Sequence, residues 1–160
     1  MLRLHLFVFR RRRPGRRLRR LSIDLSKKSL DRGRDNFALN RLATDRHRFI
    51  ADDVLSVLPR LARKGELFDA IILDPPTFSR SRTGKSWQVE HDFEKLLLAA
   101  LEVAERDARI LLSTNCTRLN ERALQIMGRF CLKATRRAGS FNRQRTCLIF
   151  HPEWRRARFG

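Results

Sequence analysis

One stretch constrains the fold more than any other. Phe68 to Leu73, FDAIIL, is an apolar run cut off abruptly by Asp74-Pro75-Pro76. A strand with one wet face alternates polar and apolar residues, whereas a run like this calls for burial on both faces, the position of an interior strand in a parallel sheet. Ala108 to Leu112 reads the same way, and Leu21-Ser22-Ile23-Asp24 and Arg48-Phe49-Ile50-Ala51 read as shorter strands. Helical patterns lie between them. Ser26 is placed to cap a helix reaching about Asn40, with Leu30, Phe37 and Leu42 giving a partial apolar face. Asp52 and Asp53 open another, with Val54, Leu55, Val57, Leu58 and Leu61 on its face, a kink or early end expected at Pro59, and a stop at Gly65. A third is expected from about His91 to Arg106, and a fourth from an Asn120 cap to about Leu132. Strands alternating with helices of this length predict a doubly wound α/β domain with a mostly parallel sheet.

The charge bounds the partners. Lys and Arg number 36 against 17 Asp and Glu, a net +19. Residues 1–20 carry no acid, and RRRRPGRRLRR at 10–20 repels itself and buries nothing, so 1–20 is expected to be a basic, irregular segment, 21–150 the α/β domain and 151–160 a basic tail. Such a balance favours a polyanion, RNA or DNA. No apolar run is long enough to span a bilayer, and Leu2 to Phe9 lacks the flanks of a secretory signal, so no membrane partner is expected. Cys116, Cys131 and Cys147 form no C-x-x-C pair, and the four histidines are scattered; no metal site is expected, and the sparse thiols fit a reducing cytoplasm.

In an open parallel sheet, ligands gather beyond the carboxyl ends of the strands. Three polar clusters are expected there. Asp24 can accept from two ribose hydroxyls, and Asp52 and Asp53 from an exocyclic adenine amine; each also serves as an ordinary helix-terminal acid. At Asp74-Pro75-Pro76 the prolines stiffen the chain and remove two donors, leaving outward acceptors for the amine edge of a base on which Phe78 would stack. The loop Ser79 to Trp87 adds Arg80, Arg82 and Lys85 for phosphates and Trp87 for base stacking. Thr83-Gly84-Lys85-Ser86 imitates a phosphate loop, but Ser79 stands where its first glycine belongs. Cys116, just past the last strand, is placed either to add to a pyrimidine ring or to sit as a spectator thiol.

The segments SIDLSKKSLDRGRDNFALN, FIADDVLSVL, FDAIILDPPTFSRS, WQVEHDFEKLLLAALEVA and LLSTNC together resemble the catalytic domain of bacterial 23S rRNA large-subunit methyltransferases over roughly residues 20–130. The wording LDPPTFSRS followed by Val89-x-x-Asp92 carries most of that resemblance. It implies a Rossmann-like, class I fold, S-adenosylmethionine as methyl donor, and ribosomal RNA as partner. By it, Asp24 with the adjoining Leu25 would bind the donor's ribose, Asp53 with its neighbour Asp52 the adenine, and Asp74, Pro75 and Pro76 would form the catalytic motif, Asp74 also bordering the donor. Two branches stay open, guanine N7 and cytosine C5; the Pro-Thr-Phe-Ser wording leans to the first and Cys116 keeps the second. The family opens this domain with an apolar strand and a small-residue loop near the donor's methionine. Here that place reads RRRRPGRRLRR, so the expectation is a domain altered at both ends, incomplete in its first strand and closing hairpin, with arginines crowding a cationic donor and Cys147 to Phe150 as a remaining strand. A non-catalytic basic RNA-binding fragment is the alternative.

Overall fold

The computed structural model describes residues 5–10, 19–45, 47–80 and 86–142. In chain order its elements are β1 (His5–Arg10), β2 (Arg19–Asp24), α1 (Lys27–Leu39), β3 (His47–Ala51), α2 (Val54–Arg63), β4 (Phe68–Asp74), β5 (Phe78–Arg80), β6 (Ser86–Gln88), α3 (Val89–Glu102), β7 (Ala104–Leu112) and α4 (Glu121–Ala134). Five strands form one sheet in the order β3-β2-β1-β4-β7, and β5 and β6 form a separate two-stranded hairpin. β2 pairs with β3, and β4 with β7, in parallel.

Helices lie on both faces of the sheet, but on the α1 side β7 stays open, with Leu111 39% exposed, which corrects the expectation that Ala108 to Leu112 is buried on both faces. Ser22, His47 and Phe49 face α1, where His47 and Phe49 stack at 4.2 Å between ring centroids and Phe37 meets both edge-on. Leu21, Ile23, Ile71 and Leu73 face the other side and join α2 and α3 in the main core, with Val57, Leu58, Phe93, Leu96 and Leu97 all buried. The helices end where their local chemistry says they should. Ser26, Asp53 and Asn120 cap α1, α2 and α4 through side-chain acceptors to Ser29, Leu55 and Ala123 N–H groups. After α2, Gly65 takes a φ of +65°, its N–H bonds Ala62 O at 2.9 Å and Glu66 N–H bonds Leu61 O at 3.0 Å. That double bond pattern satisfies carbonyls the last turn leaves open.

The structure alters four further expectations. His5–Arg10 is a strand, so residues 1–20 are not wholly irregular. β1 lies between β2 and β4 but runs antiparallel to both, Leu6 opposite Ile23 and Leu73, Arg10 opposite Arg19. Among the described residues, this reversed strand occupies the place between β2 and β4. Pro59 neither ends nor shortens α2, which continues to Arg63. The loop after Pro76 contains the β5–β6 hairpin, and β7 starts at Ala104, four residues earlier than its apolar pattern indicated, because its exposed alternate positions disguise it. Residues 143–160, with Cys147 to Phe150 and the basic tail, and the arginine run 11–18 lie outside the described residues.

Candidate functional site

The parallel strands β2, β3, β4 and β7 all end at one edge of the sheet. Asp24 closes β2 beside Ala51 of β3, and its carbonyl accepts the Asp52 N–H at 3.2 Å. Leu73 of β4 sits beside Leu112 of β7, and its carbonyl accepts the Ser113 N–H at 2.9 Å. Two inter-strand spacings, roughly 10 Å, separate the β2 and β4 tips. Between them stands the beginning of β1, with the His5 backbone opposite Asp74. Asp24, Asp52, Asp53 and Asp74 therefore share one edge, as the sequence reading placed them.

Each carboxylate has a distinct setting. Asp24 is buried, 1% exposed, and its Oδ1 accepts the Ser26 N–H at 2.6 Å, which shapes the turn into α1. Leu25 beside it is 37% exposed. Asp53 caps α2, accepting the Leu55 N–H at 3.1 Å. Asp52 accepts the Asp53 N–H at 2.8 Å and pairs with the Arg60 guanidinium. That guanidinium hydrogen bond, helped by the Asp53 N–H, holds the Asp52 carboxyl below the usual carboxylate range. The acids at this edge thus serve locally as turn former, helix cap and ion-pair partner.

Beyond β4 the Pro-Pro segment is braced from behind. Pro75 is buried, and the Pro76 carbonyl accepts the Trp87 Nε1–H at 3.1 Å. The Thr77 carbonyl accepts the Val89 N–H at 3.1 Å. This corrects the reading of outward acceptor carbonyls at Pro76 and of Trp87 as a base-stacking residue. Trp87 is 8% exposed and belongs to the core, because the β5–β6 register sets alternate residues on opposite faces and turns Trp87 inward. Phe78, paired with Gln88 on the outward face, is 53% exposed and available for stacking. Arg80 ends β5; Arg82 and Lys85 lie outside the described residues.

Cys116 is buried at the same edge, and its Sγ–H donates to Glu90 Oε1 at 3.5 Å. Glu90, in the first turn of α3, also reaches Arg118 at 3.4 Å. A 26-residue separation hides the contact of Glu90 with the thiol from any local sequence pattern. Cys131 is wholly buried, and burial pushes its thiol up to about 11, so it is an inert core residue. Among the described residues no group of three or more His, Cys, Asp or Glu is arranged to hold a metal ion, and no helix is long and apolar enough to cross a membrane.

Comparison with known proteins agrees with this arrangement. No family model matches the chain. The Ribosomal RNA large subunit methyltransferase K of Neisseria meningitidis serogroup B is 34% identical over 95 residues, 59% of this chain and 27% of that protein. The Ribosomal RNA large subunit methyltransferase K/L of Chromohalobacter salexigens is 40% identical over 96 residues, 59% of this chain and 13% of its own length. The chain therefore spans well under half the length of the curated relatives it matches. Among solved structures, the SAM-dependent methyltransferase from Agrobacterium tumefaciens superimposes with a TM-score of 0.64 at 26% identity, covering 70% of this chain and 36% of that one. In fold and in sequence the chain is similar to class I S-adenosylmethionine-dependent methyltransferases, and among them to the ribosomal RNA large-subunit methyltransferases.

Proposed function

We propose that the chain forms part of an enzyme that transfers a methyl group from S-adenosylmethionine to a base of large-subunit ribosomal RNA in the cytoplasm. One observation carries the reading: Asp24, Asp52, Asp53 and Asp74 line a single edge beyond the ends of parallel strands, where nucleoside ligands bind in sheets of this kind. The nucleoside half of the donor fits these residues. Asp24, buried at the tip of β2, would accept from the ribose, and Asp52 and Asp53 would accept from the adenine amine. Asp74, Pro75 and Pro76 would hold the target base, with Phe78 stacked on it. When bound, the donor supplies an electrophilic methyl on a cationic sulfur.

The methionine half does not fit as well. β1 presents the start of a strand at this edge instead of a strand-to-helix turn, so the backbone N–H cradle that such a turn provides is not supplied from there. Arg10 and Arg19 stand opposite each other at the end of the β1–β2 pair away from Asp24, and the arginines between them lie outside the described residues.

Calorimetry with S-adenosylhomocysteine tests the reading. Saturable binding that Asp24→Ala weakens, with RNA affinity nearly unchanged, is the expected result. Absence of saturable binding at millimolar ligand would instead favour the non-catalytic RNA-binding fragment. Between guanine N7 and cytosine C5, the Cys116–Glu90 contact favours cytosine: the thiol would pass its proton to Glu90 and form a bond to ring carbon 6, raising electron density at carbon 5. A covalent adduct with RNA containing 5-fluorocytidine, absent in Cys116→Ser, is expected on that branch. Its absence from the unsubstituted protein would return the choice to guanine.

A further inference from the structure

α4 carries two faces of different chemistry. Gly128 and Cys131 are buried, and Leu124, Met127 and Leu132 pack against the core. The opposite side holds Arg122, Ile126, Arg129, Phe130 and Lys133, all exposed, Ile126 at 62% and Phe130 at 55%. At 3.6 residues per turn these five positions fall within about 100° of one another, a continuous stripe along the helix. A solvated helix face has no reason to keep a bare isoleucine and phenylalanine a single turn apart. Three cations flank them on the same face, so the stripe suits a partner of negative charge. Arg122, Arg129 and Lys133 make no ion pair among the described residues, although the Arg129 guanidinium lies 5.6 Å over the Phe141 ring, and the helix's one acid is Glu121 in its first turn. Cations spaced along a line, with an exposed aromatic ring between them, match a ligand with regularly spaced negative charges and flat apolar faces. Single-stranded RNA has both.

The position of α4 supports the same occupant. Its N-terminus follows Cys116 and Arg118, at the edge holding the strand-tip acids, and the helix runs back from there across the body. A strand lying along the stripe would lead directly to that edge. We infer that the outer stripe of α4 binds single-stranded RNA, with Arg122, Arg129 and Lys133 on phosphates and Phe130 stacked on a base. This binding surface stands apart from the methyl-donor crevice and does not depend on methyl transfer.

The test uses the full chain and a labelled single-stranded RNA oligonucleotide, with affinity measured across a salt series. Three phosphate contacts contribute roughly two units to the slope of log affinity against log salt. The triple variant Arg122→Glu, Arg129→Glu, Lys133→Glu is expected to bind at least about tenfold more weakly, with a slope shallower by about that amount. Phe130→Ala should bind about tenfold more weakly with its slope unchanged, because stacking releases no counterions. A control triple elsewhere, Arg32→Glu, Arg63→Glu, Lys64→Glu, changes net charge equally and should have a much smaller effect. Equal losses in the two triples would overturn the assignment in favour of general charge attraction. A Phe130→Ala variant that keeps full RNA affinity but melts earlier would also overturn it, since the ring would then be packing on protein. Binding to anionic vesicles, lost in the same variants while RNA affinity persists, would give the stripe to a membrane surface instead. Because donor binding is read separately by calorimetry, failure here leaves the crevice reading standing, and the reverse holds too.

Discussion

His47 and Trp87 each bind a partner remote in sequence, and both have measurable consequences. His47 sits at the start of β3, its Nε2 2.9 Å from Ser22 Oγ, with Phe37 and Phe49 around the ring. Burial, with the charges of Arg20 and Arg34 adding to it, lowers its pKa from 6.5 to about 4. The unfolded chain therefore takes up the proton first as pH falls. Stability should be complete above about pH 6.5 and decline from there toward about pH 4, by roughly 2–3 kcal/mol in all. Urea midpoints at neutral pH and at pH near 4.5 check this, and His47→Gln should flatten that part of the profile; an unchanged slope would remove His47 as its source. Trp87→Phe keeps most of the buried ring but leaves the Pro76 carbonyl without its donor. A loss of about 1 kcal/mol is expected in denaturant titration. Trp87→Ala should cost more, about 3–5 kcal/mol, through the cavity left in the core.

Helix ends show how an arginine-rich composition meets backbone geometry. α1 and α4 finish with the same double bond pattern as α2, Arg41 N–H to Ala38 O with Leu42 N–H to Phe37 O, and Arg136 N–H to Lys133 O with Arg137 N–H to Leu132 O. The residues in the glycine-favouring position are arginines, Arg41 at φ 54° and Arg136 at φ 53°. A side chain there crowds the following carbonyl, a strain glycine avoids. Arg41→Gly is therefore expected to stabilise the fold by up to about 1 kcal/mol, read as a higher melting temperature. Arg136→Gly should do the same, although Arg137 beside it must keep its hydrogen bonds to Ala104 and Glu105 carbonyls. A fall in melting temperature for Arg41→Gly would show that the arginine side chain contributes more than its backbone strain costs.

Across the whole molecule the reversed β1 is the decisive feature. It completes the sheet between β2 and β4, but it brings a strand beginning, not a strand-to-helix turn, to the edge where the acids converge. On the proposed function, the adenosine end of a donor would keep its acceptors there, and the amino-acid end would lose a cradle. Calorimetry should accordingly find adenosine and S-adenosylhomocysteine binding within about threefold of each other, a gap of roughly 0.7 kcal/mol. A hundredfold preference for the homocysteine adduct would mean that other residues at the edge hold the amino acid.

Much of this architecture was legible in the residues alone. Apolar runs identified β4 and the end of β7, Ser26 and Asn120 marked helix starts, and acids following strands located the crevice edge, because these are properties of a few consecutive side chains and their period. Pairing was not legible. An arginine-rich connection says nothing about strand direction, so only the assembled sheet decided that β1 runs backward. Likewise the inward turn of Trp87, the Cys116–Glu90 contact and the depressed pKa of His47 depend on which distant segments share a face. Period and capping are local and survive in the text of the chain; register, burial and electrostatic environment come from neighbours that exist only once the chain has folded.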